Sequence, residues 1–443
     1  MNYEESIQKI MTLSDIERLP EKPMRSRYNL EKISKLLDLL GKPHEYSNTV
    51  HITGTKGKGS TAAMIVSGLL ASGKSVGMYS SPHLHTIRER IQVNGKPISE
   101  KIFAEIASLI WEKIDSIKTS NGYEKPSFFE FMTAMAFYVF KKLNLQWQII
   151  EVGLGGTLDA TNVLENSKIC VLTSISLDHT KILGNSVGLI AKDKSGIIKI
   201  GSKVVSAPQP KTALKQIIEK CNSTNSSLTI IGNDYRYKLT SSNNSNQKFQ
   251  VISNGETRLF EIPLLGEYQV ENATIAIAVL DLISHSDTKI NNSTIYQGLT
   301  TAYWPARMEI ISESPTVIVD GAHNPYSMKK MIYEITNLFP NNNLIFIYGC
   351  SIGHDVKKIT NEIVKINPKS IFLANSRHPR SMDTGEIATM IRNELIGHSG
   401  TVEECLNKAK ALMKKEDIII ATGSLFIAAE VRESIMGIAP ELY

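Results

Sequence analysis

The chain has 443 residues and a formal net charge of +5, and 42% of its residues are apolar. A chain of this length can form two or three domains with substantial hydrophobic cores. The charge is a small excess over many charges of both signs, and no lysine- or arginine-rich run with interleaved aromatic residues is present. We therefore do not expect nucleic acid as a partner, whereas a small anionic substrate is compatible with the composition.

Cysteine spacing and the lack of long apolar segments favour a cytoplasmic protein. Cys170, Cys221, Cys350 and Cys405 lie far apart, without the paired spacing of a zinc site or a redox motif, so reduced thiols are the natural interpretation. Residues 1–22 lack the apolar core of a signal peptide, and no later segment approaches the length of a membrane span. We expect no contact with a membrane.

In chain order, the first predicted element is a helix over residues 29–40, where apolar residues recur at helical spacing before Gly41 and Pro43 end it. Short β-rich segments then alternate with helical segments. The strands are predicted at 50–53, 75–79, 148–152, 168–175 and 203–207. This alternation indicates an α/β fold with a largely parallel sheet covered by helices.

The pattern changes between residues 221 and 265. Strands at 228–231, 235–240, 249–253 and 257–262, separated by Asn, Ser and Gly turns, predict a small antiparallel patch. The polar stretch 241–247 is interpreted as a hairpin tip, although composition alone also allows a linker. A second α/β series then follows, with strands at 317–319, 344–348, 371–374 and 418–421. We therefore predict two domains, residues 1–300 and 301–443.

A glycine-rich, doubly basic turn lies between the strand at 50–53 and a helix predicted at 61–70. Residues 51–61 have the sequence HITGTKGKGST. Glycine permits positive φ and close backbone approach, a helix N-terminus directs unpaired N–H groups at an anion, and Lys58 adds a charge. The segment therefore predicts a nucleotide phosphate site, with the Ser60 hydroxyl available to magnesium. Its spacing departs from the common Walker pattern, and a flexible turn with two solvated lysines is the alternative.

Acidic residues follow two further predicted strands, at the sheet edge where ligands bind in open α/β folds. Glu151 ends one strand and precedes residues 152–162 (VGLGGTLDATN), while another strand leads into Asp178 and His179. Ser60, Glu151 and His179 could thus converge on one magnesium ion. Because magnesium prefers oxygen ligands, a structural role remains the alternative for His179, as does a helix N-cap for Asp178.

Seven short motifs occur in order between residues 50 and 425. They are residues 51–60 (HITGTKGKGS), 80–84 (SSPHL), 129–130 (FE), 151–156 (EVGLGG) with 158–162 (LDATN), 177–179 (LDH), 304–307 (WPAR) and 320–325 (DGAHNP). Together they resemble folylpolyglutamate synthase and bacterial dihydrofolate synthase, members of the Mur ligase superfamily. The resemblance implies a Mur-ligase-like α/β fold, in which a P-loop N-terminal domain carries the antiparallel patch and a smaller Rossmann-like domain follows.

The resemblance also implies an ATP-dependent amide ligase. Such an enzyme phosphorylates the terminal carboxylate of a pteroate or folate, and L-glutamate then attacks the acyl phosphate, so that ADP and phosphate are released. A carboxylate is a poor acylating agent because hydroxide leaves poorly, whereas phosphate leaves readily. The implied cofactors are ATP and magnesium, the latter at two sites, and Lys58 and magnesium would neutralise the developing charge.

The matching motifs assign residues to five roles in this chain. ATP would be bound by Gly57, Lys58, Gly59, Ser60, Thr61, Asn272, Arg307 and Asp320. Magnesium would be bound by Ser60, Glu151, His179 and Lys194, and catalysis would depend on Lys58, Lys194, His179 and His323. The folate or pteroate would contact Pro82, Ser127, Phe128, Phe129, Glu130, Leu158, Asp159 and Ala160. The incoming glutamate would contact His323 and Ser424.

Several of these residues have simpler alternative roles. Lys194 matches the lysine that the family carbamylates into a carboxylate-like ligand for a second magnesium, whereas the residue by itself suggests a plain surface lysine. Glu130 could only stabilise a helix N-terminus, with its neighbouring phenylalanines in the core. Arg307 could form an exposed ion pair, and His323 and Ser424 could cap local backbone.

The chain departs from the family pattern in three places. Thr157 stands where many relatives have arginine, Tyr268 stands where histidine usually precedes glutamine, and residues 353–355 (GHD) replace Asp-Lys-Asp. The sequence leaves open whether dihydropteroate, reduced folates or both are the acceptors. Two rival hypotheses remain, a Mur-type ligase acting on another acid and a non-catalytic nucleotide-binding regulator. We expect a monomer whose active site lies between its domains and closes about a hinge near residue 300.

Overall fold

The computed structural model describes residues 1–14, 30–117 and 125–441. These residues form an eight-stranded, a three-stranded and a six-stranded sheet, which confirms the predicted α/β fold. The part built on the first two sheets is termed the large lobe, and the part built on the six-stranded sheet the small lobe. In the described part of the chain, no helix is long and apolar enough to cross a membrane.

The large lobe contains eleven strands and ten α-helices in its described residues. The strands are β1 (Asn48–Thr53), β2 (Val76–Tyr79), β3 (Ile91–Val93), β4 (Lys96–Pro97), β5 (Trp147–Glu151), β6 (Ile169–Leu172), β7 (Lys203–Ser206), β8 (Ser227–Ile230), β9 (Tyr235–Ser242), β10 (Gln247–Ser253) and β11 (Glu256–Ile262). The helices are α1 (Tyr3–Met11), α2 (Glu31–Leu39), α3 (Lys58–Ala71), α4 (Glu100–Ile117), α5 (Phe128–Lys142), α6 (Thr180–Leu183), α7 (Val187–Lys194), α8 (Lys211–Ser223), α9 (Glu267–Ser284) and α10 (Asn292–Thr300). The predicted first helix corresponds to α2, and Asn29 lies outside the described residues.

The eight-stranded sheet has the order β4-β3-β2-β5-β1-β6-β7-β8. Its strands β2, β5, β1, β6, β7 and β8 run parallel, whereas β3 and β4 pair antiparallel at one edge. β1 lies between β5 and β6, and its apolar residues pack in the same core as α3 and α9. Because helices cover the sheet, β1 and β5 are buried along nearly their whole length. The carboxyl ends of β1, β5 and β6 therefore meet at one edge. That edge carries the glycine-rich turn, Glu151 and the loop to His179, as predicted.

One strand assignment is wrong. Residues 228–231 were expected in the antiparallel patch, but β8 pairs parallel to β7 in the large sheet. The patch contains only β9, β10 and β11, which pair antiparallel. Its apolar face, with Phe249, Val251 and Phe260, packs into the same core as α9. The stretch 241–247 forms the tip of the β9–β10 hairpin, which confirms that interpretation.

The small lobe is a second α/β layer. Its strands are β12 (Glu309–Glu313), β13 (Thr316–Val319), β14 (Asn343–Tyr348), β15 (Ser370–Asn375), β16 (Ile396–Thr401) and β17 (Asp417–Thr422). Its helices are α11 (Pro325–Leu338), α12 (Val356–Lys365), α13 (Thr384–Ala388), α14 (Val402–Leu412) and α15 (Leu425–Met436). The order is β12-β13-β17-β14-β15-β16, with only β12 antiparallel. β13 and β17 are neighbours, so Asp320 and Ser424, which follow them, lie at one edge.

Candidate active site between the two lobes

A cleft of about 1680 Å³ runs between the sheet edges of the two lobes. Every predicted folate contact lines it, as do His323 and Ser424. From the large lobe it is also lined by residues 55–60, Glu151 and residues 174–179, and from the small lobe by Arg307 and residues 320–323. Thr61 and Lys194 are buried behind the lining. The fold thus brings the predicted site residues of both lobes to one cavity.

The turn after β1 has the geometry of an anion site. α3 begins at Lys58, three residues before the predicted start, and its N-cap Gly57 has a φ of 92° and contributes no side-chain cap. A Cβ at position 57 would lie 2.3 Å from Asn272 Oδ1, and one at Gly59 would lie 2.7 Å from the Trp304 ring. Only glycine fits these two positions. The N–H groups of the first helical turn are therefore available to an anion in the cleft.

Lys58 and Glu151 form the charged centre of this edge. Lys58 Nζ lies 3.7 Å from Glu151 Oε1, and the Glu151 side chain is only 6% exposed. Burial raises the pKa of Glu151, while Lys58 and Arg307 oppose that shift. The carboxylate thus lies beside the Lys58 ammonium at the turn after β1, and the Arg307 charge also acts on it.

Lys194 is not a surface lysine. It ends α7 with its side chain buried, and its Nζ donates a 2.9 Å hydrogen bond to the Gly54 carbonyl. Burial, with a further contribution from Lys58, lowers the pKa of Lys194 to about 7. An amine with such a pKa is partly neutral at physiological pH and can therefore act as a nucleophile. The simpler alternative for Lys194 is wrong, whereas its conversion to a carbamate stays a prediction.

The expected magnesium ligands fit the ion only in part. Ser60 is buried and Glu151 is close to Lys58, so both offer hard oxygen donors at the turn. The His179 side chain is 56% exposed and its Nε2 lies 4.0 Å from Asp178 Oδ1. No group of three His, Cys, Asp or Glu side chains in the described residues is arranged to hold a metal. A magnesium site here would therefore need the Ser60 hydroxyl and a modified Lys194.

The predicted site residues of the small lobe line the cleft, and some of them also bond to the local backbone. Both carboxylate oxygens of buried Asp320 accept backbone hydrogen bonds, from Met308 N at 2.9 Å and from Ala322 N at 2.8 Å. Ser424 is the N-cap of α15 and accepts from the Phe426 N–H at 3.1 Å. Both side chains brace the loops that line the cleft, so the backbone-capping alternative for Ser424 is what the structure shows. Arg307 donates to the Ala306 carbonyl from its own backbone segment and also lines the cleft.

The predicted folate contacts include several residues with local structural partners. Ser127 and Glu130 form a capping box at the start of α5, in which Glu130 Oε2 accepts from the Ser127 N–H at 2.7 Å. Asp159 accepts from the Leu154 N–H at 2.8 Å and from the Thr161 hydroxyl at 2.6 Å. Phe128 lies beneath the Arg90 guanidinium, 5.0 Å from ring centroid to Cζ. Glu130 therefore stabilises the N-terminus of α5, which is the simpler role considered for it.

On the nucleotide side, Asn272 is buried beside the glycine turn. Its Nδ2 donates to Gln269 Oε1 at 2.9 Å, and its Oδ1 lies next to Gly57. Asp178 is not a helix N-cap, since His179 occupies that position in α6. Instead the Asp178 carboxylate pairs with Lys56 at 3.2 Å.

Three residues at or beside the cleft were not predicted from the sequence: Lys56 and His354 line the cleft, and Trp304 lies next to Gly59 of the glycine turn. Lys56 was treated only as part of the turn, Trp304 only as part of a motif, and His354 only as a departure from the family pattern. In the structure, Lys56 contacts His323 across the lobes, Trp304 packs on Gly59, and the His354 ring lies 5.2 Å from that of His323. The departing Thr157 points away, because its hydroxyl donates to the Asp193 carbonyl at 2.9 Å.

Comparison with known proteins extends the same assignment over nearly the whole chain. The Mur ligase middle domain family matches residues 52–280, and the Mur ligase glutamate ligase domain family matches residues 306–425. Folylpolyglutamate synthase from Lacticaseibacillus casei is 30% identical over 411 residues, covering 92% of this chain and 94% of the relative.

Two further proteins show the same similarity. Dihydrofolate synthase/folylpolyglutamate synthase from Bacillus subtilis (strain 168) is 29% identical over 425 residues, covering 91% of this chain and 94% of that protein. A solved structure described as an FPGS-AMPPCP-folate complex superposes with a TM-score of 0.83 at 29% identity, covering 99% of this chain and 100% of that one. The chain belongs to the folylpolyglutamate synthase and dihydrofolate synthase family of the Mur ligase superfamily.

Proposed function

We propose that this ATP-dependent ligase joins L-glutamate to the terminal carboxylate of a folate or of dihydropteroate. The observation that carries the proposal is the cleft in which the glycine turn and Glu151 of one lobe face Arg307 and His323 of the other, with Lys194 buried directly behind the turn. The relatives' names support both acceptors, since one is a folylpolyglutamate synthase and another is also a dihydrofolate synthase.

The phosphate half of the reaction depends on the turn after β1. The first-turn N–H groups of α3 and the Lys58 ammonium would hold the ATP phosphates and neutralise the charge that develops as the γ-phosphate moves to the acid. Asn272 lies against Gly57, where a side chain in place of glycine would meet its amide. A carboxylate bound beside Leu158 and Phe129 would then be aligned with the γ-phosphate, and alignment is the main catalytic requirement of phosphoryl transfer.

Magnesium would be held by Ser60, Glu151, His179 and Lys194, the last in the form of a carbamate. Bound there, magnesium would supply electrostatic stabilisation of the transferring phosphoryl group. The lowered pKa of Lys194 supports the modification, because a neutral amine adds to carbon dioxide whereas an ammonium does not. A ¹³C-bicarbonate NMR spectrum should show a carbamate signal that disappears in Lys194→Ala.

The two-domain division at residue 300 is part of the proposal. The last helix of the large lobe ends at Thr300 and the first strand of the small lobe begins at Glu309, so a short connection joins the lobes. Arg307 lies in that connection and also lines the cleft. Rotation about this segment would bring the small-lobe residues onto bound substrates. A cross-link that keeps the lobes apart should therefore abolish turnover.

The function is tested by product identification. Purified protein is incubated with ATP, magnesium and L-glutamate and with either dihydropteroate or tetrahydrofolate, and the products are identified by mass. We expect one added glutamate residue together with ADP and phosphate for at least one acid. Lys58→Met should form almost no product, whereas Lys181→Met, which removes an exposed lysine of the same lobe, should match the wild type. ADP formation without an amide from either acid would contradict the proposal.

A further inference from the structure

The ammonium group of Lys56 connects the two lobes. Its Nζ lies 2.9 Å from His323 Nε2 in the small lobe and 3.2 Å from Asp178 Oδ2 in the large lobe. Lys56 directly precedes Gly57 in the phosphate turn, and its side chain is 24% exposed. The contact therefore couples the turn that receives ATP to the loop that was predicted to receive glutamate.

The hydrogen bonds of His323 define its protonation. Nδ1 lies 2.8 Å from the Gly321 carbonyl oxygen, and because a carbonyl only accepts, Nδ1 must carry the proton. The Lys56 ammonium only donates, so Nε2 must present its lone pair. Both bonds form together only when the imidazole is neutral and its proton is on Nδ1.

The groups around the ring shift the pKa of His323 in both directions, and those that lower it dominate. Lys56 is the largest influence that lowers the pKa of His323, and burial and the neighbouring His354 add to it. Asp178 opposes them, but its carboxylate is shared between Lys56 and the Asn324 Nδ2 group, which lies 3.4 Å away. Among the described residues, the charged or titratable side chains that act most strongly on the ring are Lys56, Asp178 and His354, all from neighbouring loops.

Lys56 is held in place by its backbone. The N–H groups of Thr55 and Lys56 donate to the Ser174 carbonyl at 2.8 and 3.3 Å. The Thr55 hydroxyl donates to the Ser176 carbonyl at 3.2 Å and accepts from the Ser176 N–H at 3.1 Å. The turn is thus fixed to the loop that carries Asp178, which distinguishes this contact from a mobile surface ion pair.

We propose that Lys56 is a positioning residue for the amino-acid half of the reaction. It keeps His323 neutral and directs the Nε2 lone pair toward the phosphate turn, where that lone pair can accept a hydrogen bond from the amino group of the incoming amino acid. The nearby ammonium also disfavours a protonated amine at the same place, so the nucleophilic form is favoured. When the Lys56 ammonium pairs with bound phosphates and with Asp178, it no longer contacts His323 Nε2. That nitrogen can then accept a hydrogen bond from the substrate. This inference rests on the proposed function.

Kinetics of Lys56→Met, Lys56→Arg and Lys181→Met test the inference. Loss of a charged hydrogen-bonding partner should raise the KM for glutamate about tenfold in Lys56→Met and affect the KM for ATP less. The acid limb of kcat/KM for glutamate should move to higher pH in this variant, toward the ordinary pKa of histidine. Lys56→Arg should keep most of the wild-type profile, and Lys181→Met all of it. An unchanged glutamate KM and pH profile in Lys56→Met would overturn the inference.

A second readout does not depend on turnover. In ¹⁵N-histidine NMR spectra, assigned with His323→Gln, the wild-type ring should carry its proton on Nδ1 at neutral pH. In Lys56→Met the Gly321 carbonyl still holds the Nδ1 proton, so the charged form, with a second proton on Nε2, should appear at a higher pH than in the wild type. A wild-type ring protonated on Nε2 would overturn the inference even if the enzyme is active. Conversely, a wild type that ligates glutamate to neither acid contradicts the proposed function, and the NMR result still stands separately.

Discussion

Two glycine-containing segments follow neighbouring strands of the large sheet, and they use their polar groups differently. In residues 54–60, after β1, the helix N-terminus, Lys58 and Ser60 face the cleft. In residues 153–162, after β5, Asp159 bonds to Leu154 and Thr161, and Asn162 Nδ2 donates to the Thr157 carbonyl at 3.0 Å. Both segments line the cleft, but the polar groups after β1 are directed into it, whereas the polar side chains after β5 are bonded within their own loop.

The largest expected effect is at Lys58. If its ammonium binds the ATP phosphates as proposed, Lys58→Met should lower kcat about a thousandfold, which is the upper end of the range for removing one electrostatic donor. The measurement is the rate of ADP release by Lys58→Met, with Lys181→Met as the control variant. Retention of a tenth or more of the wild-type kcat would remove Lys58 from the phosphate site.

The next effect is at Lys194. If it becomes a carboxylate-like ligand, Lys194→Ala should lower kcat about a hundredfold, the order expected for loss of one ligand or its support. Activity of the wild type in carbon dioxide-depleted buffer should fall and return when bicarbonate is added. The alanine variant should show no response to bicarbonate, and a response equal to that of the wild type would contradict the carbamate.

The loop after β5 should lose stability rather than chemistry. Asp159→Ala leaves the buried N–H groups of Leu154 and Thr161 without their acceptor, so we expect the free energy of unfolding to fall by about 3 kcal/mol. Urea unfolding measures this change. Nucleotide affinity, measured by calorimetry below the unfolding transition, should stay within twofold of the wild type. If Asp159→Ala lowered the nucleotide affinity but left the free energy of unfolding unchanged, Asp159 would act on the ligand rather than on its loop.

The smallest effect is at the start of α5. Ser127→Ala removes the N-cap side chain, so the free energy of unfolding should fall by about 1 kcal/mol. Ser127→Asp retains a capping oxygen and is the matched variant, although it places a second acid beside Glu130. Thermal unfolding of the three proteins gives the comparison, and equal stability of Ser127→Ala and the wild type would show that the cap contributes nothing.

Much of the fold could be predicted because parallel strands of a covered sheet are apolar on both faces and appear as short continuous runs. β8 was assigned to the wrong sheet because a short apolar strand also fits a hairpin. Only its packing beside β7 decides the pairing. β16 was missed because the segment IGHSGT combines two glycines with half-exposed polar residues and has little strand character.

The site was predictable where a motif joins residues close in sequence, as in the glycine turn. Burial of Lys194 was not, because a lysine near the end of a helix has the same sequence context whether solvent or another backbone segment faces it. The contact of Lys56 with His323 joins residues 267 positions apart, and no local pattern encodes it. Only the packing of the two lobes creates that contact.

The most direct test is a crystal structure with a non-hydrolysable ATP analogue and magnesium. We expect the phosphates on the N–H groups of residues 57–60, with Lys58 against the γ-phosphate and Arg307 within reach from the small lobe. Phosphates bound elsewhere in the chain, with the turn after β1 free, would contradict the assignment of the cleft as the ligase active site.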